Sequence, residues 1–575
     1  MDQGLDRGDV ALSRFAVGEP KLKDSGMALW LFPLLFLLVF FFLPMASIMA
    51  VMFSRADSID LGQIWRPLGF TVGQAVLSTL LTLVTGLPAA FVFSRFHFPG
   101  KSFMRTLTML PFILPTVVTA AGFNALLGPR GWINLALMDL LETSIPPVTF
   151  LNTFTAILVA HIFYNIAIVI RVVGSAWAQL DPRLEQSAQV LGASPSRSFI
   201  EVTLPLLKRP ILASALLVFL FDFTSFGVVL MLGGPSFATL EVSIYTQALS
   251  LLNLRMAGIL TLLQLACTIG ITIFYSKVSS NQSIPLFPRL QGEGTQLPRT
   301  WMQKVIVLIV MLFLFLLQVL PLGALAARSI ARMEADRGER GDVQAGVTLD
   351  FYQELFINRQ QSYFYVPPVR AMINSLFYAG VTMVISTMAG TMLAYAFVRK
   401  PAIKRWLDAL IMLPFGASAV TLGLGFIVTF NRPPIEAGTF PLLVPIAHSL
   451  IAMPFVMRTV QPAISSIPES LRESAAVLGA SPQKVWWHVE MPIIRRALIA
   501  GAIFSFTISL GEFGATSFIS SPKNPTLPIA IYRYLSQPGA MNYGQAMAMA
   551  TILIIVCGVS VWLLEKLQSE KRAGV

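Results

Sequence analysis

Long apolar runs recur from one end of the chain to the other, and each is long enough to cross a lipid bilayer. A helix needs about 20 mostly apolar residues to cross the hydrocarbon layer, and the 575 residues contain twelve such runs. They lie at about 28–53, 69–93, 105–127, 151–174, 210–232, 256–276, 305–326, 371–397, 407–430, 438–457, 497–519 and 543–564. The sequence therefore predicts an all-α polytopic membrane protein with about twelve transmembrane helices.

The composition agrees with this class. Hydrophobic residues make up 55% of the chain and charged residues 12%, whereas soluble domains average about 45–50% apolar and about 25% charged residues. The net charge of +12 does not predict nucleic-acid binding, because the basic residues lie between apolar spans and form no basic face interleaved with aromatics. Cys267 and Cys557 lie inside apolar runs, which predicts neither a disulfide framework nor a metal site.

The positions of Lys and Arg predict the orientation of the chain. With the N-terminus in the cytoplasm, 28 of the 41 basic residues fall in the seven cytoplasmic segments and 13 in the six outer ones. Six of the outer ones belong to one long segment at about 327–370, where the positive-inside rule is weakest. The run at 27–53 is too long for the core of a cleavable signal peptide. We therefore expect an uncleaved first span and both termini in the cytoplasm.

The chain contains an internal repeat of half its own length. A shift of 287 residues aligns 184–195 with 471–482, and the match continues without a gap over some 80 residues. Matched pairs include His161 and His448, Arg171 and Arg458, Pro205 and Pro492, Arg209 and Arg496, Phe226-Gly227 and Phe513-Gly514, and Thr239-Leu240 and Thr526-Leu527. Upstream the shift becomes about 303, which predicts an insertion at Gly128–Phe150. Because each unit has six spans, the two copies form parallel six-helix repeats.

The spans and the repeat together predict the domain organisation. The segments are a cytoplasmic tail at 1–27, a first repeat at 28–276, a cytoplasmic linker at 277–304, a second repeat at 305–564 and a cytoplasmic tail at 565–575. Each repeat has a cytoplasmic loop between its fourth and fifth spans, at 175–209 and 458–496. Two like halves around a central path are typical of transporters.

In both halves this loop has the pattern of two short helices around a glycine. Gly192 and Gly479 each follow a helix-forming stretch, and a residue without Cβ can take the left-handed conformation that ends a helix. The serine two residues later is a good N-cap, and the proline after it suits the first helical position. We expect the second helix to be short and to stop near Pro205 or Pro492.

An apolar strip runs along one side of each second helix. Its members are Phe199, Val202 and Leu204 in the first half and Val485, Trp486 and Val489 in the second. Such a strip fits the groove of a partner protein, but it would also pack on the chain's own membrane domain or on lipid headgroups. Duplication of the whole turn favours the partner.

The paired loops resemble the EAA loop of the membrane permeases of ABC importers, which has the general form E-A-A-x-x-x-G followed by L-P. Here the loops read Gln186-Ser187-Ala188 to Gly192 and Leu204-Pro205, then Glu473-Ser474-Ala475 to Gly479 and Met491-Pro492. The departures are Gln186 for the acid, serine for the first alanine in both copies, and Met491 for leucine. Glu185 lies one position before the place of the missing acid.

The resemblance covers nearly the whole chain. Both halves occur in one polypeptide, as in the fused permeases of the ferric iron and thiamine importers. Leu110-Pro111 to Gly122, Gly511-Glu512-Phe513-Gly514 and the Thr-Leu-x-x-x-Ile-Tyr runs at 239–245 and 526–532 are similar to that group. The resemblance implies a MetI-like permease fold in the bacterial plasma (inner) membrane. The implied substrate is ferric iron or thiamine, which these motifs do not separate.

The resemblance also implies the partners. Two copies of a separate ABC ATPase subunit would bind the two loops, which we call the coupling loops, and an extracytoplasmic substrate-binding protein would deliver the substrate. ATP would be bound by the ATPase, so this chain would need no cofactor of its own. The ATPase-coupling role carries over to Gln186, Ser187, Ala188, Gly192, Pro195, Phe199, Glu473, Ser474, Ala475, Gly479, Pro482 and Trp486.

Ionisable residues inside the predicted spans are candidates for the substrate path, since burying them in a membrane is costly without a function. Asp222 and Glu512 each lie about 13–16 residues beyond the basic end of their helix, or roughly 20–24 Å at 1.5 Å per residue. Acids at that depth could attract a cation, and His161 and His448 could line the same path.

A structural role for the same four residues stays open. The carboxylates could accept hydrogen bonds within the bundle, and the histidines could be packing residues that donate to a neighbouring carbonyl. The candidate partners of the carboxylates are Thr224, Ser225 and Ser509, and Asn165 lies one turn from His161.

The sequence contains no catalytic constellation. His97, His161, His448 and His488 have no metal-ligand spacing, and Gly100-Lys101-Ser102 lacks the first glycine of a Walker A loop. We therefore expect a transporter subunit and not an enzyme. The alternative is an ion-coupled secondary carrier, which can also have parallel repeats. A membrane-embedded enzyme or scaffold has no catalytic cluster in its favour.

Overall fold

Long α-helices make up most of the structure. The computed structural model describes residues 25–53, 60–279, 296–333, 346–357, 367–399, 413–414, 416–430, 440–521 and 524–569. Ten helices in this part of the chain are long and apolar enough to cross a membrane. The first half has Trp30–Phe53, Gly62–Arg95, Phe154–Gln179, Pro195–Phe223 and Leu254–Val278, which we number spans 1, 2, 4, 5 and 6. The second half has Trp301–Arg328, Pro368–Val398, Leu443–Ser465, Pro482–Gly511 and Ala540–Leu564, which are spans 7, 8, 10, 11 and 12.

Spans 3 and 9, the remaining two of the predicted twelve, differ from the others. Span 3 consists of the helices Lys101–Leu107, Leu110–Ile113 and Thr116–Leu127. Pro111 and Pro115 lie at its joints, where a residue without an N–H interrupts the helical hydrogen bonds. Of span 9 the structure describes the helix Ala419–Phe430, and its predicted start at 407–412 lies outside the described residues. The architecture is two parallel six-helix repeats, as the sequence predicts.

Short elements connect the spans. The helices are Trp132–Leu140, Pro182–Val190, Leu240–Tyr245, Asp350–Gln353, Glu469–Val477, Gly514–Ile519 and Leu527–Ser536, with a 3-10 turn at Glu354–Phe356. The strands Ala331–Arg332 and Gly346–Val347 pair antiparallel, with Ala331 opposite Val347. Wide π-helical turns lie within or at the ends of several helices, at Leu38–Phe42, Phe199–Thr203, Val229–Gly233, Thr246–Ser250, Phe315–Val319 and Trp486–Glu490.

The same three helices form the centre of each half. Spans 2, 4 and 5 pack together in the first half, and spans 8, 10 and 11 pack together in the second. A glycine permits the closest approach in both: a Cβ added to Gly86 would lie 2.8 Å from the Val169 Cβ, and one added to Gly390 would lie 2.9 Å from the Val456 Cβ. Small residues let membrane helices approach closely, so the repeat conserves this helix crossing.

The first span of each half packs against the opposite half. Span 1 contacts spans 8 and 9, and the Trp30 and Phe397 ring centroids are 5.6 Å apart. Span 7 contacts span 3, where a Cβ added to Gly122 would lie 3.1 Å from the Pro321 carbonyl oxygen. This exchange of helices holds the two repeats together as one bundle.

The predicted insertion at Gly128–Phe150 forms a closed loop that contains the helix Trp132–Leu140. The Asn134 amide closes it, since its Nδ2 donates to the Gly128 and Val148 carbonyls at 2.9 and 2.8 Å and its Oδ1 accepts from the Val148 N–H at 2.8 Å. Trp132 Nε1 donates to the Ala324 carbonyl of span 7 at 3.0 Å. The insertion therefore packs against the start of the second half.

The prediction that the second helix of each coupling loop stops near Pro205 or Pro492 is wrong. Each continues into the membrane as one helix, Pro195–Phe223 in the first half and Pro482–Gly511 in the second. A π-helical turn precedes each proline, and there the N–H of Leu204 donates to Phe199 and that of Met491 to Trp486. The wider turn makes room for a proline ring, which has no N–H to donate.

This continuity also changes span 5, which was predicted at 210–232 and ends at Phe223. The predicted coupling loops at 175–209 and 458–496 thus contain helical turns at both ends. Span 4 runs to Gln179 and span 10 to Ser465.

Candidate functional site

Each coupling loop is a compact helix, turn and helix. Its first helix, Pro182–Val190 or Glu469–Val477, ends at a glycine in the left-handed region, with φ of 93° at Gly192 and 81° at Gly479. The next residue closes the turn, since the Ala193 N–H donates to the Ala188 carbonyl at 3.0 Å and the Ala480 N–H to Ala475 at the same distance. These bonds satisfy carbonyls that a helix end leaves free, and they confirm the predicted turn.

Serine then begins the next helix in both loops, as predicted. Ser194 accepts from the Arg197 N–H at 3.3 Å and Ser481 from the Lys484 N–H at 3.4 Å. The two loops therefore have the same backbone fold although half of their residues differ in charge or size.

The last two residues before each glycine form an exposed apolar pair. Val190 and Leu191 are 86% and 87% exposed, and Val477 and Leu478 are both 87% exposed. No other large apolar side chain in the described residues is as exposed as these four. Exposed apolar groups at matched places in both halves are typical of surfaces that bind other proteins.

The predicted apolar strip on the second helix packs mostly on the chain itself. The Phe199 ring stacks on Trp177 of span 4 with centroids 5.7 Å apart, and Val485 is buried. Trp486 contacts the neighbouring Trp487, with centroids 4.8 Å apart. Phe199 thus packs on the chain's own membrane domain, whereas Leu204 of the same strip is 38% exposed. The exposed apolar pair was missed.

The remaining predicted coupling residues lie on the surface of the loops. Ala188 and Ala475 are half-buried. The exposed ones are Gln186, Ser187, Gly192, Pro195, Glu473, Ser474, Gly479 and Pro482.

Different ion pairs stabilise the two loops: one joins the first loop to span 2, and the other joins the two helices of the second loop to each other. In the first half, Arg95 at the end of span 2 pairs with Glu185, and the Ser198 hydroxyl donates to the Glu185 carbonyl at 3.0 Å. In the second half Arg472, at the position equivalent to Glu185, donates to the buried Glu490 carboxylate at 2.7 Å. Glu185 thus faces the bundle, where it pairs with Arg95. It does not replace the exposed acid of the EAA pattern, whose place Gln186 occupies.

A short non-helical break follows span 5 at 224–226 and span 11 at 512–513, and a buried histidine bridges each break. His161 Nδ1 lies 2.9 Å from the Ser78 hydroxyl and 3.5 Å from Asp222 before the break, while its Nε2 lies 2.9 Å from Ser225 within it. The Asn165 amide donates to Asp222 at 2.7 Å.

The second half repeats this arrangement with acid and serine exchanged. His448 Nδ1 lies 2.7 Å from Ser509, the position equivalent to Asp222, and its Nε2 lies 3.0 Å from Glu512, the position equivalent to Ser225. The Glu512 carboxylate also accepts from the N–H groups of Ala515 and Thr516 at 2.8 and 3.0 Å, at the start of the next short helix. Each histidine therefore ties the two sides of a break together.

The structure joins the four predicted path residues in pairs within each half. Asp222 and His161 are 0% and 2% exposed, and Glu512 and His448 are 8% and 1% exposed. Apart from Asp222 Oδ2, their polar atoms contact neighbouring hydroxyls, amides and backbone, which agrees with the structural alternative. The partners differ from those expected, because both histidines bind hydroxyls and not carbonyls.

An aromatic cluster occupies the place where the halves meet. Phe226 and Phe513, one in each break, stack with centroids 5.7 Å apart and planes 20° apart. Tyr245 lies against Phe226 with centroids 5.3 Å apart, and Tyr532 lies against Phe513 with centroids 5.4 Å apart. Both pairs are equivalent under the repeat, so the cluster lies on the pseudo-twofold axis. The repeat alignment paired these residues but gave no reason to expect that they touch.

Sequence reasoning also missed a buried acid, Glu241, because it lies on the short helix Leu240–Tyr245 and not in a predicted span. It is 0% exposed. Counting acids in the apolar connections next to spans, as well as within the spans, would have found it.

Two parallel six-helix halves, each with the same exposed coupling loop, define a membrane transport component. The chain belongs to the family described as binding-protein-dependent transport system inner membrane component, whose model matches residues 82–320 and 386–573. It is the permease of an ABC importer, and it is therefore a component of a transporter.

Individual relatives agree with the family. The chain is 27% identical over 530 residues to the thiamine transport system permease protein of Escherichia coli (strain K12), a match that covers 88% of this chain and 89% of the relative. It is 25% identical over 569 residues to the ferric transport system permease protein of Actinobacillus pleuropneumoniae, covering 95% and 79%. A crystal structure of a bacterial alginate importer aligns with a TM-score of 0.39 and 19% identity, covering 46% of this chain and 98% of that one.

Proposed function

We propose that this chain forms the substrate path of an importer for thiamine or ferric iron in the bacterial plasma membrane, with both termini in the cytoplasm. Two copies of an ABC ATPase subunit bind the coupling loops, ATP is bound and hydrolysed there, and an extracytoplasmic binding protein delivers the substrate to the opposite face. The observation that carries this proposal is the exposed apolar pair repeated in both coupling loops, at Val190-Leu191 and Val477-Leu478.

The path of the mechanical signal follows from helix continuity. When the ATPase subunits close on ATP they move the coupling loops, and each loop begins a helix that runs unbroken to Phe223 or Gly511. Movement at the loop end of such a helix reaches the break beyond it, where Phe226 and Phe513 lie. Coupling requires that each partner contact the two states differently, and the stacked rings are a contact that separation of the halves removes.

We assign His161, Asp222, His448 and Glu512 a structural role at the breaks in place of the predicted role in binding substrate. Each of the four side chains has a polar partner within its own half at 2.7–3.5 Å, and among their polar atoms Asp222 Oδ2 alone has no hydrogen bond within the described residues. Buried polar contacts of this kind keep the break in one geometry.

Copurification tests the partnership with the ATPase. Leu191→Asp combined with Leu478→Asp changes two fully exposed side chains and should not disturb folding, yet it places charges on the proposed contact. We expect the purified complex to lose its ATPase. Leu140→Asp is the matched control, because Leu140 is 76% exposed but belongs to the Gly128–Phe150 insertion, and it should retain the ATPase.

Uptake assays identify the substrate and test the alternative carrier. Cells that lack this protein should lose uptake of one of the two labelled substrates, thiamine or ferric iron. Restoring the chain should restore uptake of that substrate. Transport that continues when the ATPase is absent would favour the ion-coupled carrier.

A further inference from the structure

We propose that Glu241 and Gln264 form the polar end of the substrate site and that the site accepts an organic cation with N–H donors and a flat ring. This inference rests on the proposed importer function and deepens it by naming the class of substrate. Glu241 lies on the helix Leu240–Tyr245 and Gln264 on span 6, and they are 0% and 1% exposed.

The two side chains leave two buried acceptors without a donor. Gln264 Nε2 donates to one oxygen of the Glu241 carboxylate. Within the described residues, the other carboxylate oxygen and the Gln264 side-chain oxygen have no hydrogen-bond partner. A buried acceptor without a donor is costly, and a carboxylate more so. A ligand with a positive charge and N–H donors would satisfy both oxygens.

The acid faces the interface between the two halves. Ser418, at the start of span 9 in the second half, lies beside the Glu241 carboxylate, but its hydroxyl donates to the Thr421 hydroxyl at 3.0 Å. The Leu240–Tyr245 helix also packs against span 9. Residues four positions apart share one face of a helix, so Glu241 and Tyr245 both point towards the second half.

Tyr245 connects the acid to the aromatic cluster. Its ring lies against Phe226 and, across the interface, against Phe518 of the second half with centroids 5.6 Å apart. Aromatic faces attract cations, and the attraction is stronger when water is excluded. An acid one helical turn from four clustered aromatic rings therefore suits a flat organic cation.

The second half supplies no acid at the matching position. The position equivalent to Glu241 is Pro528, so the two positions together provide one carboxylate. A single carboxylate favours a singly charged organic cation over a multiply charged metal ion such as ferric iron.

The test measures uptake of labelled thiamine by the complete importer, with its ATPase and binding protein, reconstituted in vesicles. Glu241→Gln keeps the shape of the side chain and removes its charge. We expect its KM for uptake to rise about tenfold or more, because a hydrogen bond to a charged group contributes a factor of that size. Glu241→Asp, which keeps the charge, should recover part of this loss. A purely structural role would predict no such recovery of KM.

The outcomes separate this inference from the proposed function. If the unaltered protein transports thiamine and both variants have the same KM as it does, the inference alone is overturned. The inference alone is also overturned if the unaltered protein uses ATP to transport ferric iron and not thiamine. Absence of any ATP-driven transport by the unaltered complex overturns the proposed function itself. If Glu241→Gln does not assemble with the ATPase, Glu241→Asp carries the test, and an unchanged KM for it overturns the inference.

Discussion

Phe226 and Phe513 occupy equivalent positions 287 residues apart, and their rings stack on each other where the two halves meet, with centroids 5.7 Å apart. Each residue lies in the break of the helix that begins at its own coupling loop. The contact therefore lies just beyond the ends of the two helices that the ATPase would move, and separation of the halves would break it.

Removing this stack should loosen the closed state. An aromatic pair contributes about 1 kcal/mol beyond its buried area, so Phe226→Ala with Phe513→Ala should shift the equilibrium towards separated halves by about fivefold. We expect ATP hydrolysis without binding protein to rise by a similar factor in the reconstituted complex. Phe504→Ala, which removes a contact with Phe455 inside the second half, is the control. An equal rise in that control would argue against a gate at Phe226 and Phe513.

The buried histidine of the second half should contribute strongly to stability. His448→Ala removes a group within 3.0 Å of both Ser509 and Glu512, and leaving buried polar atoms without a partner costs about 1–3 kcal/mol. Thermal unfolding in detergent should show a lower midpoint than for the unaltered protein. His488→Ala is the control because His488 is exposed on the coupling loop, and its midpoint should not change. Equal midpoints for the two variants would contradict the assigned structural role.

The helix crossing at Gly86 should tolerate no larger residue. A Cβ there lies 2.8 Å from Val169, so Gly86→Val must push span 2 away from span 4, and overpacking of this kind costs about 1–3 kcal/mol. Gly73→Val in the same helix is a matched control, since no atom lies within 4 Å of its added Cβ. Thermal unfolding should separate the two variants. Similar destabilisation by both would mean that helix propensity, and not the crossing, sets the cost.

The second coupling loop should depend on Arg472. The Glu490 carboxylate is 3% exposed, and Arg472→Ala would leave it without its ion-pair partner. Breaking a fully buried pair costs about 3–5 kcal/mol, and the partial exposure of Arg472 reduces our expectation to about 2 kcal/mol.

Hydrogen exchange measures this effect directly. The amides of 469–490 should exchange faster in Arg472→Ala, whereas Arg197→Ala in the first loop should change little, because its pair with Glu201 is exposed and such pairs contribute about 0–0.5 kcal/mol. Unchanged exchange in Arg472→Ala would show that the ion pair does not hold the loop.

Much of the fold could be predicted from the sequence because its signals are local or periodic. Apolar run length predicted the spans, the 287-residue shift predicted the parallel repeat, and Gly192 and Gly479 predicted the left-handed turns. The proline rule failed at Pro205 and Pro492, because a π-helical turn before each ring lets the helix continue. A single-residue propensity contains no information about such a turn.

The candidate site was harder to predict because its contacts are tertiary. Their positions within the predicted spans made His161, Asp222, His448 and Glu512 candidates for the substrate path, but the sequence could not show that they pair within their own halves. The stacking of Phe226 on Phe513 depends on how the halves pack. Glu241 lies on a six-residue helix, which a search for spans of about 20 residues does not detect.

Accessibility labelling at the exposed apolar pairs tests the central claim most directly. In a chain whose two cysteines, Cys267 and Cys557, are replaced, Leu191→Cys and Leu478→Cys each introduce one thiol on a coupling loop. A membrane-impermeant maleimide should label both in inside-out vesicles and neither in intact cells, and bound ATPase should protect both from labelling. Labelling of either position in intact cells, or equal labelling with and without the ATPase, would contradict the account.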